Sequence, residues 1–212
     1  MNIFQIALEA EDTSGLKKNE IEYVLYARIA DFSVLERAKS MEYQEQWEIK
    51  LPKVGNSNME GRFRIRATSS VGQPTTYAQT LKTKHVMEEA APDGTQGMIP
   101  TQNVEITTPS TADAFHQFKL LCPVGMVKER YIYDVAGLPY QWEVDVFISP
   151  EGKRHEWCKI DLEVAEPLSV LPGLPPGFRD VITNQTGKRT FEEERQVRTL
   201  YDSYFLTKNP FA

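Results

Sequence analysis

The chain has 212 residues and a formal net charge of −6, long enough for one sizeable domain, and a single domain over 1–212 is expected. The acidic balance argues against binding duplex nucleic acid, which needs a broad basic surface to displace counterions, but it leaves room for a local basic pocket. No apolar run reaches a membrane span, and the N-terminus lacks the basic start and apolar core of a signal peptide. A cytoplasmic protein with no membrane partner is therefore expected. Cys122 and Cys158 match no metal or redox spacing and read as reduced thiols.

In chain order, Glu20 to Ala30 reads as a long strand. Side chains alternate across a strand, so Glu20, Glu22, Val24, Tyr26 and Arg28 share one face, and Ile21, Tyr23, Leu25 and Ala27 the other. Asp31 to about Glu45 is predicted helical, with Ser33 and Glu36 in capping-box spacing. Gln46 to Leu51 is a further strand, ended by Pro52. Gly61 to Lys84 reads as two strands joined by a polar turn. In the first of these, Arg62, Arg64 and Arg66 alternate with Phe63, Ile65 and Ala67, which places three guanidinium groups on one face. Lys82 brings another cation to the neighbouring strand. Arginine's fork of donors suits phosphate oxygens, and lysine adds a point charge.

His85 to Thr101 has no periodicity; Pro92, Gly94, Gly97 and Pro100 mark it as a loop, serving as a surface connector or a lid. Gln102 to Thr107 is a strand carrying Glu105. Pro109 to Leu121 is a helix whose apolar face is Ala114, Phe115, Phe118 and Leu121. Val127 to Asp134 and Tyr140 to Ser149 are strands around the turn at Gly137 to Pro139. Lys128 and Arg130 share a face of the first. In the second, Glu143 and Asp145 oppose Trp142, Val144, Val146 and Ile148. Trp157 to Ala165 repeats the design, with Asp161 and Glu163 against Ile160, Leu162 and Val164. Leu171 to Phe178 is a Pro- and Gly-rich connector. Thr190 and Glu193 cap a last helix with Val197, Leu200, Tyr201 and Tyr204 as its apolar face.

Strand after strand thus pairs an apolar face with a face of like charges. Like charges two apart on one face repel, so a sheet built for stability alone avoids stacking them. The plain alternative is a solvated antiparallel face. The cumulative pattern instead predicts an α+β fold: an eight-stranded antiparallel barrel, closed into a tunnel, with the charges inside and helices covering the apolar outside. In such a lumen, carboxylates suit Mg²⁺ or Mn²⁺, and arginines and lysines suit phosphates. His85, His116 and His155 form no ligand spacing, and no P-loop, dinucleotide glycine motif or nucleophile triad is present.

EIEYV at 20–24, RFRIR at 62–66, TLK at 80–82, KERY at 128–131, WEVDVF at 142–147 and DLEV at 161–164 follow one another in an order that resembles the CYTH superfamily of triphosphate tunnel metalloenzymes. LPPGFRDVITN before the last helix also resembles that family's ending, so the likeness spans about residues 18 to 205. The family's E-x-E-x-K signature has Val24 at its lysine, Asp161 replaces a usual glutamate, and Asn103 stands where a second acid is often found. The resemblance implies divalent-metal-dependent hydrolysis of a small triphosphate: inorganic tripolyphosphate, a nucleoside triphosphate or thiamine triphosphate. It implies catalytic roles for Glu20, Glu22, Glu143 and Asp145. The same four, with Asp161 and Glu163, would hold Mg²⁺ or Mn²⁺, while Arg62, Arg64, Lys82, Lys128 and Arg130 would grip the phosphates. The expected assembly is a monomer or homodimer, and divalent ions should stabilise acids that otherwise repel. Two alternatives stay open: cyclisation of ATP, as in class IV adenylyl cyclases, and binding of a nucleotide or polyphosphate without turnover. Val24 and Asn103 favour the second.

Overall fold

The computed structural model describes residues 21–52, 59–85, 88–90, 96–98, 103–166, 168–183 and 191–208. β1 (Ile21–Ile29) leads through a 3-10 turn (Phe32–Arg37) to β2 (Ser40–Leu51), β3 (Met59–Ser70) and β4 (Thr76–His85). A small hairpin, β5 (Glu88–Ala90) and β6 (Gln96–Met98), lies in the expected loop. β7 (Asn103–Pro109), helix α1 (Ala112–Lys119), β8 (Val124–Asp134), β9 (Gln141–Ile148) and β10 (Arg154–Val164) follow. Then come β11 (Phe178–Thr183), helix α2 (Phe191–Leu200), a π-helical turn (Tyr201–Phe205) and β12 (Thr207–Lys208). Thr190, expected to cap α2, lies outside the described residues.

The helix expected over 31–45 is instead a short 3-10 turn followed by the first half of a strand. Asp31 caps only a six-residue 3-10 turn, its carboxylate accepting from the Ser33 backbone N–H at 3.0 Å, and Ala38 is already extended. From Ser40 the chain pairs with β8 on one side, and from Glu42 with β3 on the other. Two ladders satisfy its backbone and override a local charge spacing that suits a helix. β11 begins at Phe178, where the connector expected over 171–178 ends, and pairs with β1.

The expected closed eight-stranded barrel is not formed. Ten strands make one antiparallel sheet in the order β11-β1-β10-β9-β8-β2-β3-β4-β7, with β12 added to β8. β11 and β7 end this path, and no ladder joins them among the described residues. Closure would need an edge-to-edge ladder with continuous stagger. Instead, β11 shifts register against β1 and carries Asp180 at a left-handed φ of 53°, which interrupts an extended edge. β7 ends at Pro109, which has no N–H to donate.

The apolar faces are covered much as their alternation requires. Leu25, Ala27, Trp142, Val144, Val146, Ile160 and Leu162 form one buried cluster under the 3-10 turn and the 168–178 segment. Gly177 is needed there: at φ 107° its missing Cβ would lie 2.1 Å from Val34 Cγ1. Helix α1 seats Phe115 and Phe118 against Trp47, Ile65 and Tyr77, whereas Ala114 and Leu121 face outward. The C-terminal segment departs from the expected plan. α2 and the π turn pack Val197, Leu200, Tyr201 and Phe205 onto Val24, Tyr26 and Phe147. By alternation these three residues belong to the face of Glu22 and Asp145, so this helix caps the charged side rather than the apolar one. Phe205 stacks on Phe147 with centroids 3.9 Å apart. Tyr204, expected on the apolar face, is exposed.

Candidate functional site

Register assembles the site. Arg62 lies opposite Lys82, and Arg64 opposite Thr80. Gln46 pairs with Arg66 and Glu48 with Arg64 across β2 and β3. β8 sets Lys128 beside Gln44 and Arg130 beside both Glu42 and Asp145. β10 sets Lys159 opposite Asp145 and Asp161 opposite Glu143, and β1 sets Glu22 opposite Glu163. All the predicted site residues within the described chain therefore share one face. Glu20 lies outside the described residues.

The basic end lies on β3 and β4. Arg64 donates to Glu105 at 2.9 Å, Lys82 approaches the same carboxylate at 3.4 Å, and Arg62 lies 3.6 Å from Glu48. Burial favours the neutral form of Glu105, but Arg64 and Lys82 more than offset this and hold its carboxyl below the usual range. Among the described residues Arg66 has no carboxylate ion-pair partner of its own. It donates to Gln46 Oε1 at 3.3 Å, and its Nε, like that of Arg64, is buried without a hydrogen-bond partner. Burial, with Arg64 and Arg130 nearby, pulls the Arg66 guanidinium down to about 10.

Asp145 forms the centre. It is 1% exposed and accepts from Lys128 Nζ and, twice, from Arg130 at 2.7 and 2.9 Å. Arg130 also pairs with Glu143. Burial alone would raise the Asp145 carboxyl; Lys128 and Arg130 reverse that and keep it well below the usual carboxylate range. Toward β1 the acids have their own cation. Lys159 Nζ donates to Asp161 Oδ2 at 2.5 Å and lies 3.5 Å from Glu22 Oε1. Asp161 Oδ1 is buried and unpartnered. Burial raises this carboxyl to about 6, Lys159 opposing the shift and the neighbouring Asp145 and Glu22 adding to it. Glu163 sits at the exposed rim. Beside it and Glu143, a cavity of about 360 Å³ opens at the β8–β9 turn, with Tyr140 and Pro139 in its walls.

Four residues of the site escape the residue-by-residue reading of the sequence: Arg66, Lys159, Gln44 and Gln46. Arg66 was visible on the arginine face, but only burial distinguishes it from its neighbours. Lys159 continues the alternation of Asp161 and Glu163 with opposite charge, and that sign change was the available signal. Gln44 and Gln46 had no signal, because Gln44 fell within the predicted helix and Gln46 opened the next predicted strand as an uncharged side chain. The Mg²⁺ or Mn²⁺ set is not assembled as expected. Asp145 is taken by Lys128 and Arg130, Glu143 by Arg130, and Asp161 by Lys159. Among the described residues, no three carboxylate, histidine or cysteine groups gather into a metal-sized cluster. The donor set as arranged does not fit a resident divalent ion.

No protein-family model matches the sequence, and no curated protein is similar to it. A solved structure, that of the PH1819 protein from Pyrococcus horikoshii OT3, aligns with 70% of this chain and 80% of its own at 18% identity and a TM-score of 0.43. A likeness that distant carries no argument for function. Among the described residues, no helix is long and apolar enough to cross a membrane.

Proposed function

We propose that the charged face binds a triphosphate compound, with Arg62, Arg64, Arg66 and Lys82 gripping the phosphates toward Lys128 and Arg130. The observation that carries this reading is Arg66: a part-buried guanidinium beside two others, with no ion-paired carboxylate among the described residues and with a buried Nε lacking a partner. Burial and the neighbouring cations outweigh what Asp145 and Glu105 return to this guanidinium, and an oligophosphate supplies both charge and acceptors. Tripolyphosphate, a nucleoside triphosphate and thiamine triphosphate all present this group.

Turnover is the second reading. It is favoured by Asp161, whose carboxyl is raised to about 6 and so takes up a proton close to neutrality. In that role Asp161 receives the proton of a water that attacks the terminal phosphorus as the anhydride P–O bond breaks, while the cation row stabilises the departing phosphate. The same row with a ribose hydroxyl as nucleophile gives a cyclic nucleotide and pyrophosphate instead.

Calorimetric titration with tripolyphosphate, ATP and thiamine triphosphate in EDTA tests binding. Phosphate and pyrophosphate assays with Mg²⁺ or Mn²⁺, beside a Glu143→Ala control, test turnover. Binding that weakens in Arg64→Gln and Arg66→Gln is expected. Failure to bind any of the three, or equal binding by both variants, refutes the anion reading.

A further inference from the structure

Clustered carboxylates on adjacent strands repel, and either a metal ion or a protein cation must offset them. Here the protein provides one. Lys159 projects from β10 on the same face as Asp161 and Glu163. Its ammonium lies between Asp161 Oδ2, at 2.5 Å, and Glu22 Oε1, at 3.5 Å, on the neighbouring strand. Its side chain is only 20% exposed. Burying a lysine costs free energy that only close carboxylates return, so the Lys159–Asp161 pair, 20% and 4% exposed, is an interior ion pair, with Glu22 at its more exposed edge. A divalent ion drawing on these two oxygens would have to take the place of Nζ, since hard cations need the same oxygens that the ammonium occupies.

We propose that Lys159 is a tethered counter-cation standing where a divalent ion would otherwise sit between Glu22 and Asp161, so that the acidic row is stable without metal. A corollary concerns the buried, unpartnered Asp161 Oδ1. With Lys159 gone, both oxygens of Asp161, together with Glu22, are open to a cation, and removal of one charge converts the row into a divalent-ion site. The stabilisation by metal expected from the sequence is thereby absent from the natural chain. This inference rests on the acid row alone and is independent of the anion reading.

Thermal melts of the full chain, without any phosphate compound, test it in EDTA, in Mg²⁺ and in Mn²⁺. The natural protein should melt at the same temperature in all three, and Lys159→Arg should behave alike. Lys159→Met should melt lower in EDTA and recover in Mn²⁺, by on the order of 5–10 °C when the ion is at about 100 times its Kd. Lys159→Gln, which keeps a hydrogen bond to Asp161, is the milder second variant and should show the same recovery in smaller measure. Mn²⁺ stabilisation of the natural protein overturns the proposal. So does a folded Lys159→Met no more responsive to Mn²⁺ than the natural chain, or failure of both neutral variants to fold with Mn²⁺ present. Because no triphosphate is in the cell, each of these results leaves the anion-binding experiment undisturbed.

Discussion

Replacing Asp145 with asparagine keeps its shape and removes its charge, which isolates what that charge does. Among the described residues, the carboxylate is the sole ion-pair partner of Lys128 and one of two for Arg130, whose side chains are 7% and 15% exposed. Breaking one side of a buried pair costs about 3–5 kcal/mol, because the remaining charge stays desolvated. Asparagine still accepts one hydrogen bond and Glu143 still serves Arg130, so the lower end, about 3 kcal/mol, is expected for Asp145→Asn. In a chain of this size each kcal/mol moves the melting temperature by about 2–4 °C, giving a loss of about 6–12 °C. Urea denaturation at neutral pH reads the free energy and calorimetry reads the temperature. The double variant Asp145→Leu with Lys128→Met, which removes both charges, should recover most of the loss. Tripolyphosphate should also stabilise Asp145→Asn more than the natural chain, because Lys128 and Arg130 are released toward the ligand. A loss below about 0.5 kcal/mol would refute the view that this buried pair holds the centre of the face.

Arg66→Gln should weaken tripolyphosphate binding by about 10- to 100-fold, the cost of one charge-assisted contact, while leaving stability unchanged or slightly raised; titration and melting read the two effects. Asp161 carries a pH signature. Its folded value, about 6, lies above the ordinary 3.8. Its contribution to stability is therefore fully present below 3.8 and lost as pH rises through about 6, a decline that Asp161→Asn should abolish in pH-dependent melts. Phe205→Ala removes a ring that is 1% exposed and stacked on Phe147. A loss of about 3–5 kcal/mol is expected, together with faster amide exchange across 191–208.

The pattern of charge was legible because it is local. A strand's alternation fixes which side chains share a face whatever its neighbours are. Arg62, Arg64, Lys82, Lys128, Arg130, Glu143, Asp145 and Asp161 accordingly lie on one face, with Trp142, Val144, Ile160 and Leu162 buried on the other. Partners were not legible, because pairing is a matter of register between distant segments. Nothing in the stretch around Asp145 says that Lys128 and Arg130 will engage it before any metal can, or that Lys159 will lean to Asp161 and Glu22.

Three features of the fold belong to the tertiary structure for the same reason. The first half of β2, residues 40–45, is strand because β3 and β8 flank it, not because its own spacing prefers one. The sheet stays open because its ends, β7 and the irregular β11, form no ladder, which no single strand's sequence announces. α2 covers the charged face because Val24, Tyr26 and Phe147 interrupt that face with apolar side chains and offer a seat for Phe205. Which side chains face together follows from the period of the backbone and is written locally in each strand. The tertiary structure decided which charges neutralise one another and where the sheet ends, since both depend on contacts between residues far apart in the chain.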